Sequence, residues 1–231
     1  MKNTLHIAAA AAVIAGTVLS AASASAQSVP QNTLRLGVAH IGIHSKSDDF
    51  TTNGPAFLTP QPAGITVDDA NTLVIAYTRR LNANLDLDLI LGIPPQHDVK
   101  GRGTLAPFGT VSKVKQASPT AFINYNFGDE ANRFRPFVGV GLNFTRFYDA
   151  KSTDAGNLAS GGPTKIELSD SWGLAVQAGL NYKLTDRWSL NGSVATADVK
   201  SDLKATTGSI ERRTRIDFRP VVMTVSVGYS F

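Results

Sequence analysis

VVMTVSVGYSF, residues 221–231, is the stretch whose reading decides the fold. Val221, Met223, Val225, Val227, Tyr229 and Phe231 share one parity, while Thr224, Ser226, Gly228 and Ser230 share the other. Successive side chains of a strand point to opposite faces, so this segment presents one greasy face and one small or polar face. At about 3.3 Å per residue and a tilt near 40° it rises roughly 28 Å, enough to cross a hydrocarbon band of about 25 Å. The length fits a membrane-spanning strand.

The same alternation recurs towards the N-terminus. Trp172 to Leu184, Val138 to Thr145, and Leu85 to Ile93 repeat it at length, and Ala121 to Phe127, Leu73 to Tyr77 and Leu34 to Val38 more briefly. Trp188 to Ala197 carries it most weakly, because Gly192 interrupts the apolar parity. With the terminal segment these make eight strands. A soluble antiparallel sandwich would also alternate. Its outer face, however, should carry Lys, Glu and Thr, whereas here the second parity is mainly glycine, alanine, serine and asparagine. Such residues suit a crowded lumen. The expected fold is therefore all-β, an eight-stranded antiparallel up-and-down transmembrane barrel.

The connections agree. Asn82 to Asn84, Gly128 to Arg133 and Thr185 to Arg187 are short and polar, and alternate with long stretches near 45–71, 94–118, 149–168 and 198–213. In bacterial barrels the short turns are periplasmic and the long connections extracellular. Pro55, Pro60 and Pro62 suit a loop, and Gly156 to Pro163 and Gly101 to Gly103 read as flexible loops. Phe127, Tyr182, Trp188, Tyr229 and Phe231 fall at the periplasmic rim, and Phe144, Tyr148, Trp172 and Phe218 at the outer rim, as aromatic girdles require.

Lys2, the alanine-rich apolar run from Ile7 to Leu19, and Ala24-Ser25-Ala26 before Gln27 have the layout of a secretory leader. The rival, an anchoring helix, is disfavoured by the short core and the small polar residues that follow it. Residues 1–26 are thus expected to be a cleaved signal peptide and 27–231 one outer-membrane domain. The net charge of +4 is scattered among acids, which argues against nucleic acid, and the absence of cysteine removes disulfides and thiolate metal sites. Beyond residue 26 no apolar run approaches the roughly 20 residues a helical span needs. No cofactor or metal is expected.

PTAFINYNFGD (119–129), FRPFVGVGLNFTRFYD (134–149), LSDSWG (168–173) and VSVGYSF (225–231) together resemble the OmpW family of outer-membrane proteins. The resemblance covers most of the chain after the leader and implies an eight-stranded barrel. Some members, the alkane-import proteins among them, admit small hydrophobic molecules. In the family a leucine and a tryptophan form an apolar gate inside the barrel, and local alignment carries these positions to Ile90 and Ala195. Ile90 keeps the apolar character and Ala195 does not, so the constriction here is expected to be wider or built from other residues. The finish at Tyr229 and Phe231 resembles the signal read by the barrel-assembly machinery.

An eight-stranded barrel has an interior barely wide enough for its own side chains. Arg35, Arg80, Asp86, Asp88, Arg135 and Lys183 all fall on the lumen parity toward the periplasmic end. Opposite charges so confined should pair, and the expectation is an ionic plug closing the lower half beneath an open, less charged vestibule. A hydrophobic solute would then enter between the outer loops, pass Ile90 and leave sideways into the outer leaflet. Pro94, Pro95, Pro136 and Pro220 lack backbone donors and would loosen the wall. The alternatives are a plugged structural barrel without a conduit and a surface-recognition barrel acting through its loops. A lipid-directed enzyme is disfavoured: His40 and His44 share a parity, but no G-x-S-x-G elbow appears and no serine is plainly partnered. Expected partners are outer-membrane lipids, lipopolysaccharide, the assembly machinery and small hydrophobic solutes. Arg212, Arg213 and Arg215 lie near the outer rim, where they serve either as a solvated strand end or as contacts for lipopolysaccharide phosphates.

Overall fold

A computed structural model describes residues 31–55 and 60–231, so the leader expected at 1–26 lies outside the described residues. The strands follow in chain order: β1 (Asn32–Ile43), β2 (Lys46–Ser47), β3 (Thr51–Thr52), β4 (Ala63–Val67), β5 (Ala70–Arg80), β6 (Leu85–Gly92), β7 (Gln96–Gly103) and β8 (Thr110–Ala117). Then come β9 (Thr120–Asn126), β10 (Phe134–Ser152), helix α1 (Asp154–Ser160), β11 (Thr164–Leu168), β12 (Ser171–Lys183), β13 (Trp188–Ala197), β14 (Lys200–Thr207), β15 (Ile210–Asp217) and β16 (Pro220–Ser230).

Eight of these, β1, β5, β6, β9, β10, β12, β13 and β16, pair antiparallel in that order. The ring closes where β16 pairs with β1 from Thr33↔Ser230 to Ile43↔Pro220. Closure leaves no edge at membrane depth, the condition for sheet to exist in lipid. The alternation sorts the faces as the sequence demands. Leu36, Val140, Leu174 and Val225 are each more than 60% exposed on the outer wall, whereas Arg35, Asp88, Asn124, Gln177 and Asn191 are buried inside. An aqueous fold could not leave so many large apolar side chains in contact with solvent. Side-chain caps tighten the short turns. Asn82 Oδ1 accepts from the amides of Asn84 and Leu85, and Thr185 Oγ1 from those of Arg187 and Trp188.

The long connections differ from expectation. They are not flexible loops: β2, β3, β4, β7, β8, the upper part of β10, β11, β14 and β15 continue the sheet beyond the membrane strands. Gly101 to Gly103 ends β7, and Gly156 lies inside α1, which Thr153 caps through Oγ1 and Gly161 terminates at φ 82°. These strands carry apolar residues inward on their own account, and Phe50, Ile65, Val99, Val114, Phe147, Leu203 and Ile216 pack into one core. Phe218, expected at the outer rim, belongs to this core and stacks on Phe147 with ring centroids 4.9 Å apart. Its parity, shared with the inward Pro220 and Val222, is the physical reason. Trp172 and Phe144 do stand together at the rim, with ring centroids 4.6 Å apart.

Candidate functional site: the barrel lumen

The lower half of the lumen, toward the short turns, is polar. Arg35 meets both carboxylate oxygens of Asp88, at 2.6 and 2.5 Å, and Thr78 Oγ1 donates to Asp88 Oδ1 at 2.8 Å. Both charged residues are buried, so the pair relies on mutual neutralisation instead of solvent. Beside it runs a chain of amides. Asn191 donates to Asn181, Asn181 to Asn126, and Asn126 to Asp86 Oδ2 at 2.7 Å. One step higher, Gln177 Nε2 donates to Asn124 Oδ1 at 2.7 Å. That bond crosses over Gly139, where an added Cβ would collide with Asn124 Oδ1. Glycine is needed there for close approach.

The charged residues named from sequence are not all in one cluster. Arg35 and Asp88 pair directly, and Asp86 joins the amide chain through Asn126. Arg80 pairs with Glu130 of a short turn, Arg135 donates to the carbonyls of Ala83 and Gly128, and Lys183 lies 3.1 Å from Asp186 at the exposed rim. The amides Asn124, Asn126, Gln177, Asn181 and Asn191 were not singled out from sequence, although their shared inward parity marks them.

Above this layer lies a cavity of about 110 Å³. Ile41, Val74, Phe122, Ala175 and Val222 line it, as do Ile90 and Ala195, the two positions carried over by resemblance. Its polar lining on β9 and β10 is internally satisfied, with Asn143 donating to Thr120 Oγ1 and Thr145 to Asn143 Oδ1, each at 2.8 Å. Val199 and Phe218 belong both to the cavity lining and to the core of the extracellular strands, so that core roofs the cavity. The open vestibule expected from sequence is thus a chamber under a packed apolar cap. The reason is that the long connections fold as strands with a core of their own.

The cavity reaches the barrel wall near β5 and the exit of β6. An outer groove lined by Val38, Leu73, Ile93, Pro94 and Met223 shares Ala39, Thr72 and Pro95 with the cavity. The β6–β9 ladder stops at Ile90↔Thr120, and Pro94 and Pro95 have no amide hydrogen to extend it.

His40 faces outward, with Nδ1 2.9 Å from Asn71 Oδ1 and Nε2 3.8 Å from Asp69 Oδ2, and His44 lies beyond the strand end. Tyr229 packs edge-on against Trp188 and accepts from Arg187, while Phe231 exchanges backbone hydrogen bonds with Asn32. In the basic trio, Arg212 turns into the cap and donates to Thr207 Oγ1 and the Ser160 carbonyl. Arg213 pairs with Glu211, and Arg215 is exposed.

Comparison with known proteins matches the OmpW family over residues 31–231. Outer membrane protein W of Vibrio cholerae is 29% identical over 206 residues, covering 85% of this chain and 94% of that protein. Outer membrane protein AlkL of Ectopseudomonas oleovorans is 27% identical over 169 residues, covering 73% and 70%. The dibenzothiophene metabolism operon protein PahQ of Pseudomonas aeruginosa is 25% identical over 202 residues, covering 86% and 88%. Among solved structures, the outer membrane protein OprG of Pseudomonas aeruginosa superposes with a TM-score of 0.78 at 26% identity, over 88% of this chain and 96% of that one.

Proposed function

We propose, from the premise that this chain belongs to the OmpW family and is an outer-membrane β-barrel, that it takes up small hydrophobic molecules passively. The observation that carries this reading is the wall of the upper cavity. An apolar chamber, bounded below by hydrogen-bonded amides and the Arg35–Asp88 pair, shares Ala39, Thr72 and Pro95 with a groove on the lipid-facing side. Water and ions gain nothing from such a path. An apolar solute gains by leaving water, about 25 cal/mol per Å² of surface removed from it. The solute crosses the cap, occupies the chamber at the level of Ile90 and Ala195, and leaves through the wall into the outer leaflet. The chamber's lack of an unpaired ionic group distinguishes it from a polar-solute channel. The name of the relative PahQ, which ties it to an operon for metabolism of an apolar aromatic compound, fits the same solute class.

In this reading Arg35, Asp88 and Asp86 with its amide chain form the closure of the lower lumen, Arg80 and Arg135 brace it from the short turns, and Lys183 contributes only at the rim. Lipopolysaccharide contacts the exposed Arg215, and Tyr229 with Phe231 forms the terminus read during barrel assembly. A second reading has one observation in its favour: Val199 and Phe218 of the extracellular core pack over the chamber, as expected of a structural or surface-recognition barrel. One experiment separates the two. Uptake of a hydrophobic fluorophore is measured in cells with and without the protein, and in cells carrying Ile90→Asp. Transport predicts faster uptake with the protein and its loss in the variant. Equal rates in all three would leave only the structural reading.

A further inference from the structure

A second groove lies on the outer wall, lined by Leu174, Val176, Thr196, Ala197, Asp217 and Arg219. Thr196 and Ala197 also line the upper cavity. The first groove lies over β16, β1, β5 and the exit of β6, and this one over β12, β13 and the entry to β16, so the two are neighbours on the barrel wall.

The hydrogen bonding of the wall fails at this second place too. The β13–β16 ladder ends at Thr196↔Val221, and pairing resumes above it where the Phe218 amide donates to the Val199 carbonyl. Between them, Ala197 and Asp198 bond toward β12, the Asp198 amide donating to the Leu174 carbonyl. Facing them are Arg219, held at φ 43°, and Pro220, which has no amide hydrogen. A non-glycine residue in that region of φ and a proline within a strand are both marks of an interrupted ladder. The interruption coincides with the residues common to cavity and groove. Arg219 folds onto Asp217 at 2.8 Å across the top of the groove, and Leu174 and Val176 form its apolar sill.

We propose that this seam is a second lateral portal, joining the upper cavity to the outer leaflet for small uncharged apolar molecules. The proposal rests on the uptake reading for its physiological use, but the connection itself is a property of the wall. Two portals make the chamber a passage between two patches of membrane as well as a path from outside, and blocking either one alone leaves the other working. The Asp217–Arg219 pair admits solutes from below, where the wall is greasy, and opposes charged head groups from above.

The absence of cysteine makes the test clean. Thr196→Cys with Val221→Cys joins two direct cross-strand partners at the second seam. Ile90→Cys with Thr120→Cys locks the first, because these are the direct cross-strand partners at which the β6–β9 ladder stops. Each variant, the four-cysteine combination and their reduced forms are placed in phosphatidylcholine vesicles containing a membrane-confined alkyl diazirine. After photolysis, adducts on the cavity-lining Ala195 and Val222 are measured by mass spectrometry. With the first seam locked, adducts should persist at the level of the reduced protein, and with both locked they should fall to background. Loss on locking the first seam alone, or persistence with both locked, overturns the second portal. Ala197→Leu, which fills the seam without a cross-link, should reproduce the second lock if the disulfide variant does not fold. Labelling does not depend on transport. Adducts without any protein-dependent fluorophore uptake would therefore sink the uptake reading and leave the portal standing.

Discussion

The two halves of one lumen are built from the same eight strands and solve opposite problems. Below, Arg35, Asp88, Asn124, Asn126, Gln177, Asn181 and Asn191 fill the space with side chains that bond to one another, although Arg35 Nε finds no partner. Above, Ile41, Val74, Ile90, Phe122 and Val222 leave a chamber, and the polar groups of one wall are turned onto each other. A polar interior is stable only when nearly all of its groups are paired, so the lower half tolerates little vacancy. An apolar interior can stay partly empty at a modest cost, so the upper half is where a ligand fits. Closure and storage are thus divided along the barrel axis.

Breaking the lower half should have the largest effect. Asp88→Ala leaves Arg35 buried without its counter-charge, a situation that costs about 3–5 kcal/mol. Urea unfolding in lipid vesicles should show that loss, and Arg35→Leu combined with Asp88→Leu should recover most of it. A single variant as stable as the parent would mean that water already reaches the pair. Gly139→Ala attacks the same half differently, since its methyl group displaces Asn124 from Gln177. The expected cost is about 1–3 kcal/mol, the range for overpacking or an unmade buried hydrogen bond.

The upper half is tested by filling it. Ala195→Trp introduces a large ring into the cavity from the wall opposite Ile90. Hydrophobic uptake should fall of order tenfold, equivalent to about 1.4 kcal/mol on the barrier, while the unfolding midpoint stays near that of the parent. Uptake unchanged by the ring would show that solute does not pass this level.

How far the sequence reveals this division depends on the residue. Parity alone located every membrane strand, including the weak Trp188 to Ala197 segment, because lipid punishes a strand whose outward face is not apolar. It also placed Ile90 and Asp88 inside. It did not reveal that β7, β8, β14 and β15 continue the sheet, since their charged outward residues, such as Lys113 and Arg213, resemble those of solvated loops. Lys183 shows a further limit. Parity points it at the lumen, but a long side chain at a strand end can reach outward, here to Asp186. The ladder fault at Arg219 had no sequence mark beyond Pro220, because a positive φ at arginine is set by the strands on either side.

The cap supplies the smallest effect, on the other side of the comparison. His97 lies in β7, almost fully buried, with Nδ1 2.8 Å from the Asp68 carbonyl and Nε2 lacking a hydrogen-bond partner. Nδ1 therefore carries the hydrogen, and a proton added at Nε2 would find no acceptor. Burial lowers the pKa of His97 below its ordinary value, against the smaller opposing pull of the Asp68 carbonyl bond and the nearby Asp69 and Asp68 carboxylates. The sign follows: the unfolded cap binds the proton more readily than the folded one. Its contribution to stability is intact above an unfolded value near about 6.5 and declines as pH falls through that value toward the lower native one. Amide hydrogen exchange in β7 and β8 should accelerate on acidification, while exchange in β12 and β13 should not respond. His97→Phe should abolish the difference, because it removes the titrating ring and keeps the apolar bulk. If exchange in β7 and β8 is the same on both sides of that pH in the parent, the imidazole is either solvated or paired, and the cap is not the more labile end of the barrel in acid.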